Sequence, residues 1–273
     1  TVKDANDSVI SGATVTWATS AASVATVSST GLVTSVADGT AVITATSGSV
    51  SATAAVTVTQ GASSITVSPT TVSFASLADT ATLTATVKDS GGNVMSGVTV
   101  VWTTSTASVA TVSSAGLVTS VADGTATVTA TFGALAATTS ATVAQVAASI
   151  TLSPTTASFA SLGDTATLTA AVKDANDSTM SGATVSWTTS AASVATVSSS
   201  GLVTSVADGT AVITATSGSV SATAAVTVVQ VATSVTLAPT SLSFSSFADT
   251  TQLTATVKDA NDSVISGATV TWA

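Results

Sequence analysis

Along the chain, apolar and small polar residues alternate in short runs, with no helical period anywhere. Residues 61–145 carry one full set of these runs. Period-2 segments fall at 64–67 with 72–74, and then at 80–88, 98–103, 108–112, 117–121, 125–132 and 135–143. Clusters of Gly, Asp, Asn, Pro and Ser divide them. Such spacing predicts a two-sheet β-sandwich of about seven strands. Alternation puts Leu83, Ala85 and Val87 on one inner face together with Val100 and Trp102, facing Val128 and Ala130 of the other sheet.

The same pattern recurs. Thr1-Val2-Lys3-Asp4 returns as Thr86-Val87-Lys88-Asp89, Ala171-Val172-Lys173-Asp174 and Thr256-Val257-Lys258-Asp259, an exact 85-residue repeat without insertion. Trp17, Trp102, Trp187 and Trp272 keep the step, and so do Pro69, Pro154 and Pro239. Each Trp is the bulkiest apolar residue of its repeat, so these four are the expected core anchors. Taking the first strand as the start of a repeat gives the expected organisation. Residues 1–60 are the C-terminal part of one domain, 61–145 and 146–230 are complete domains, and 231–273 is the N-terminal part of another. Residues 1–18 and 256–273 are one identical string, and 19–60 differs from 189–230 only at Thr30/Ser200 and Thr59/Val229. Near-identity of this kind is expected of a window on a longer, duplicated array. Between repeats, Thr59-Gln60-Gly61-Ala62, Ala144-Gln145-Val146-Ala147 and Val229-Gln230-Val231-Ala232 lead straight into the next strand. With no flexible linker, the repeats are expected to stack as an extended rod.

Composition supports the all-β reading. Thr and Ser number 59 and 46 of 273 residues, while Glu and Arg are missing and only two Met occur. Val, Thr and Ile are stiff at χ1 and favour pleated backbone, and the common helix formers are scarce. The mean hydropathy of +0.64 is high. No run approaches the roughly 20 apolar residues of a spanning helix, however, so this segment is not expected to cross a membrane. Net charge is −9, from 13 acids that are all Asp against four Lys. Almost nothing can neutralise phosphates, so nucleic acid is not an expected partner.

The string Ser108-Val109-Ala110-Thr111-Val112-Ser113-Ser114-Ala115-Gly116-Leu117-Val118-Thr119, followed by Ala122-Asp123-Gly124-Thr125-Ala126-Thr127-Val128-Thr129-Ala130, resembles the signature of the bacterial Ig-like domain, group 2. All three copies of the segment carry it. The upstream stretch from Leu83 to Trp102 is similar to the long-loop form in invasin- and intimin-like stalks. The resemblance implies tandem Ig-like sandwiches and an extracellular or cell-surface location. It further implies a role as spacer, adhesin stalk or fibre. Copies of the chain are the expected partners, end to end along the rod or laterally, since exposed Thr/Val ladders with little charge do little to prevent edge pairing. The alternative that the resemblance leaves open is an adhesin repeat region that binds host or matrix ligands or glycans. Aromatic hot spots for such binding would be sought at Phe132, Phe244 and Phe247.

Candidate chemistry is sparse. Asp4, Asn6 and Asp7, with Asp174, Asn176, Asp177 and Asp259, Asn261, Asp262, cluster oxygen ligands as calcium loops do. They lack the glycine and distant bidentate Glu of an EF-hand, and Asn/Asp turn chemistry explains them equally. Unit 61–145 has Asp89-Ser90-Gly91-Gly92-Asn93 at this place. Asn6, Asn176 and Asn261 each open an Asn-x-Ser glycosylation acceptor. With no His, Cys, Tyr, Arg or Glu, triads, zinc sites and phosphate clamps are excluded, and no cofactor or enzymatic activity is expected.

Overall fold

Strands and turns account for the whole chain, and the computed structural model describes residues 1–273. No helix is long and apolar enough to cross a membrane. Residues 61–145 show how the sequence builds one unit. Its strands are β1 (Ala62–Ser68), β2 (Thr71–Phe74), β3 (Thr80–Thr82), β4 (Thr84–Asp89), β5 (Val101–Thr104), β6 (Ala110–Val112), β7 (Leu117–Ser120), β8 (Gly124–Phe132) and β9 (Leu135–Val143). One face of the sandwich is the four-stranded sheet β5-β8-β9-β2. The other combines β1 paired with β4, and β6-β7-β3. Strands β3 and β4 are one continuous run broken at Leu83, whose N–H bridges to the carbonyl of Gly116 at 2.8 Å and keeps the ladder closed.

The chain changes sheet at Pro69. Lacking an N–H, this residue interrupts β1 and lets β2 cross to pair in parallel with β9. The buried Thr139 hydroxyl donates to the Pro69 carbonyl at 2.7 Å, which satisfies both groups at the crossing. The long hairpin β8–β9 keeps one register from Gly124↔Val143 to Phe132↔Leu135.

Strands from Ala62 to Val143 pair only with one another, as do those from Ser149 to Val228. We propose 61–145 and 146–230 as the two whole domains on this basis. Residues 1–60 and 231–273 contribute strands of the same kind, for example Gly39–Ser47 paired with Val50–Val58, and Ser234–Ala238 paired with Thr254–Lys258. Below, the four segments are units I to IV in chain order.

In unit II the core holds Val67, Val72, Phe74, Leu83, Ala110, Val118, Ala126, Val128, Ala130, Ala141 and Val143. Four of these eleven are Ala, so much of the inner surface is small and the sheets interlock around Leu83, Val118 and Val128. Each fully buried Leu or Val contributes roughly 1.5–3 kcal/mol.

Trp102 departs from the expected placement. Its strand pairs with β8, with Trp102 opposite Ala130, so the indole belongs to the sheet of Val128 and Ala130 and faces Leu83 across the sandwich. The loop 90–100 carries the chain from one sheet to the other, and alternation alone cannot reveal that jump. Nor does the indole fill the deepest volume, which Leu83, Val87, Val118 and Val128 occupy. Trp102 and Trp187 are half-buried and pack against the cores of units II and III. Trp17 and Trp272 are more exposed, at 37% and 58%.

Each indole in units I to III rests on a glycine of the Gly-Leu-Val-Thr segment. A Cβ on Gly116 would lie 2.5 Å from the Leu83 carbonyl and 3.1 Å from the Trp102 ring, and φ there is +81°. Gly31 and Gly201 meet Trp17 and Trp187 in the same way. By contrast, Gly133 has φ +57° and open space around it. Gly133→Ala is therefore expected to cost only the left-handed penalty of about 1–2 kcal/mol. Gly116→Ala adds a clash with backbone and ring and should cost clearly more. Urea unfolding of the two variants checks this, and equal losses would contradict it.

Candidate functional site at the joints between units

Two of the oxygen clusters, at Asp174–Asp177 and Asp259–Asp262, lie where one unit meets the next, while Asp4, Asn6 and Asp7 are exposed. Asp174 ends the strand Thr169–Lys173 and closes the turn 174–178 upon itself. Its Oδ1 accepts the backbone N–H groups of Asn176 and Ser178 at 3.0 and 2.9 Å. Asp is short enough to reach residues two and four ahead, which is why this turn wants Asp and not Glu. Asp177 adopts φ +64° and turns its carboxylate outward to Lys173 at 3.0 Å. The two carboxylates of the turn thus serve different neighbours.

The second oxygen of Asp174 reaches into the preceding unit. Oδ2 accepts the Leu77 backbone N–H at 2.8 Å and the Gln145 side-chain amide at 2.8 Å. Asn176 completes the contact, its Nδ2 donating to the Leu77 carbonyl and to Asp79 Oδ1, both at 2.8 Å. The receiving loop is itself fixed. Asp79 Oδ2 accepts the Ser76 N–H at 3.2 Å, and the buried Ser120 hydroxyl donates to the Ser76 carbonyl at 2.8 Å. Gln145 is held from behind by its own N–H on Asp123 at 2.8 Å.

Unit III meets unit IV through the same set. Asp259 accepts from Leu162 and Gln230, both at 2.9 Å, and Asn261 donates to the Leu162 carbonyl at 2.9 Å and to Asp164 at 2.8 Å. Asp262 pairs with Lys258 as Asp177 does with Lys173. In unit I, Asp4 closes the turn onto Asn6 and Ser8, and Asp7 pairs with Lys3 on the surface.

The linkers leave no slack. Ala144 and Val146 donate to the carbonyls of Phe74 and Ala75, and Ala148 donates to Lys173 of the next unit. Backbone groups on both sides of Gln145 are thereby tied to one unit or the other.

Asp174 and Asp259 are 3% and 2% exposed. Burial pushes each carboxyl upward, but the hydrogen bonds it accepts outweigh that effect and hold it below the ordinary value of 3.8. At the turn of unit II, Asp89 is lowered chiefly by the Asn93 backbone N–H, with the Asn93 side chain next.

Sequence reasoning found the turns but missed Gln145, Asp79 and Leu77 as their partners. One signal was available. Only four Gln occur in the chain, and Gln60, Gln145 and Gln230 share one phase of the repeat.

Since these carboxylates titrate lower in the folded protein than in the unfolded chain, their stabilisation is complete above the ordinary carboxylate range. It is lost as pH falls through the lowered folded value. Thermal unfolding is therefore expected to change little from neutral pH down to about pH 4 and to fall steeply below it. The variant D174N/D259N should start lower and show a shallower acid drop. Identical acid profiles for parent and variant would contradict this assignment.

Comparison with known proteins finds a family match over most of the chain. The model of the bacterial Ig-like domain (group 2) matches three times, at residues 1–58, 62–143 and 146–228. No curated protein has a matching sequence. Among solved structures, the S-layer protein SbsC is 23% identical with a TM-score of 0.32, covering 96% of this chain and 41% of its own. The chain thus spans about two fifths of the length of the S-layer structures it first matches. The Escherichia coli adhesin FdeC is 21% identical with a TM-score of 0.38, covering 83% of this chain and 90% of its own. Invasin, a bacterial integrin-binding protein, is 20% identical with a TM-score of 0.46, over 86% of this chain and 57% of its own. These likenesses are distant, and the assignment rests on the threefold match together with the sandwich topology. The chain belongs to the bacterial Ig-like domain (group 2) family.

Proposed function

We propose that this chain is a structural segment of an extracellular or cell-surface filament or stalk, in which Ig-like units stack as a stiff rod and perform no catalysis. The observation that carries the reading is the polar clasp, repeated at two successive joints with the same partners and nearly the same distances. The chain repeats the contacts that hold units in line. Low charge and small hydroxylated side chains suit a surface meant for length and inertness, and trypsin would find only four Lys.

The alternative, an adhesin repeat that binds ligands or glycans, needs exposed anchors. Phe132 is half-buried. Phe244 is exposed in unit IV, but its counterparts Phe74 and Phe159 are only 6% and 7% exposed where the sandwich is complete. Phe247 stands where Leu77 and Leu162 line the joints. These positions read better as core and joint than as a binding face. The clasp supports end-to-end stacking of units, while lateral contacts between rods have no comparable support.

Solution scattering tests the rod. Nine-residue strands span about 30 Å, so units in line should give a maximum dimension beyond about 90 Å with the cross-section of a single sandwich. A compact particle would overturn the reading. Immunogold labelling of native cells should place the chain on surface threads or filaments. Label confined to the cytoplasm would contradict the location, and threads ending in distal heads would favour the adhesin stalk.

A further inference from the structure

The joints are not all equal. Units I, III and IV carry Asp-Ala-Asn-Asp-Ser at the turn, whereas unit II carries Asp89-Ser90-Gly91-Gly92-Asn93. On the 85-residue step, Gly91 stands where Asn176 and Asn261 stand. It has no side chain, so the two hydrogen bonds that Asn176 donates to the preceding unit have no donor here. They are two of the three bonds between the loop 77–79 and the turn 174–178, the third being Leu77 to Asp174; Gln145 to Asp174 and Val146 to the Ala75 carbonyl also cross this joint.

The second change acts on that third bond. Asn93 replaces Ser178 and Ser263, and its amide folds back onto Asp89, donating to Oδ1 at 3.3 Å and Oδ2 at 3.1 Å. The carboxylate that elsewhere receives a backbone N–H from the preceding unit is here shared with its own turn. Gln60 still reaches Asp89 Oδ2, but at 3.1 Å, against 2.8 and 2.9 Å for Gln145 and Gln230. A third change removes the surface brace. Gly92 replaces Asp177, so Lys88 lacks the ion pair that Lys173 and Lys258 make. Two adjacent glycines also raise the backbone entropy that ordering this turn must overcome.

These three substitutions fall within three successive residues: two act on groups that meet the preceding unit, and the third removes an ion pair that braces the turn itself. The other side chains of the clasp, Gln60, Asp79 and Asp89, keep their identity. The counterpart of Leu77 in unit I falls before the first residue, so the property belongs to what the 89–93 turn can offer a preceding unit.

We propose that the 89–93 turn makes a pliant joint, so that the array combines clasped joints with a softer one at a defined place. Such a joint would let a long stalk or fibre bend under load at set intervals without unfolding a sandwich. The inference concerns joint mechanics, and it stands whether the array is a fibre or an adhesin stalk.

The experiment grafts the unit II turn onto the clasped joint between units II and III. The chain has no Cys, so labels at T127C and T223C, one in each unit, report that joint alone by double electron–electron resonance. The parent should give a narrow distance distribution, and N176G/D177G/S178N one about twofold broader, as expected when a locally weak contact opens without global unfolding. N176A, which removes the amide while leaving the turn backbone, guards against a folding defect and should broaden the distribution in the same direction. Distributions as narrow as the parent's in both variants would overturn the pliant joint. A distribution already broad in the parent would instead overturn the clasped joint on which the rod reading depends.

Discussion

A single carboxylate shared between two folded units sets the terms for the rest of the structure. Asp174 is 3% exposed, and its oxygens receive hydrogen bonds from Leu77, Gln145, Asn176 and Ser178, which come from three separate segments. A buried anion is costly unless its acceptor sites are filled. The loop 76–79, the linker at Gln145 and the turn 174–178 must therefore all be in place together. Each has its own fastening: Ser120 and Asp79 for the loop, Asp123 for the linker, and the Asp174 turn itself. The sandwich supplies rigid points at which these segments begin and end.

The odd composition follows from this division of labour. Acids and bases gather at the ends of units, at Asp79, Asp123, Lys173, Asp174 and Asp177 and their repeats. The outer face of the four-stranded sheet carries hydroxyls such as Thr125, Thr127, Thr138 and Ser140, all exposed. Short Asp side chains suit closing a turn onto its own backbone, as Asp4, Asp89, Asp174 and Asp259 do. Thr and Val cover the walls because they fit pleated backbone. Ala fills the inner rows of β8 and β9, where Ala126, Ala130 and Ala141 are almost fully buried.

Much of this is legible in the sequence. The 85-residue step, the strand runs and the turn identity of Asp174 and its repeats all follow from pattern and local chemistry. The signature around Gly116 could be read as a motif, but its physical reason, a glycine beneath the Trp102 ring with φ +81°, appears only in three dimensions. Trp102 lies in the sheet opposite to the one expected, because alternation reports which residues share a face and not which sheet a strand joins. The clasp was hidden for a different reason. Asn176 and its partner Leu77 are 99 residues apart, and the turn is already satisfied by its internal bonds. Local chemistry thus gave a complete explanation of a residue that also has a distant role.

The central claim is that the joints are closed in solution, and hydrogen exchange at Leu77 and Leu162 tests it most directly. Their amides donate to Asp174 and Asp259 of the following unit. If the clasp holds, both should be protected to a degree approaching the core amides of β8, although they lie in loops. If they exchange at the rate of an open loop while β8 stays protected, the units are independent beads and the account fails.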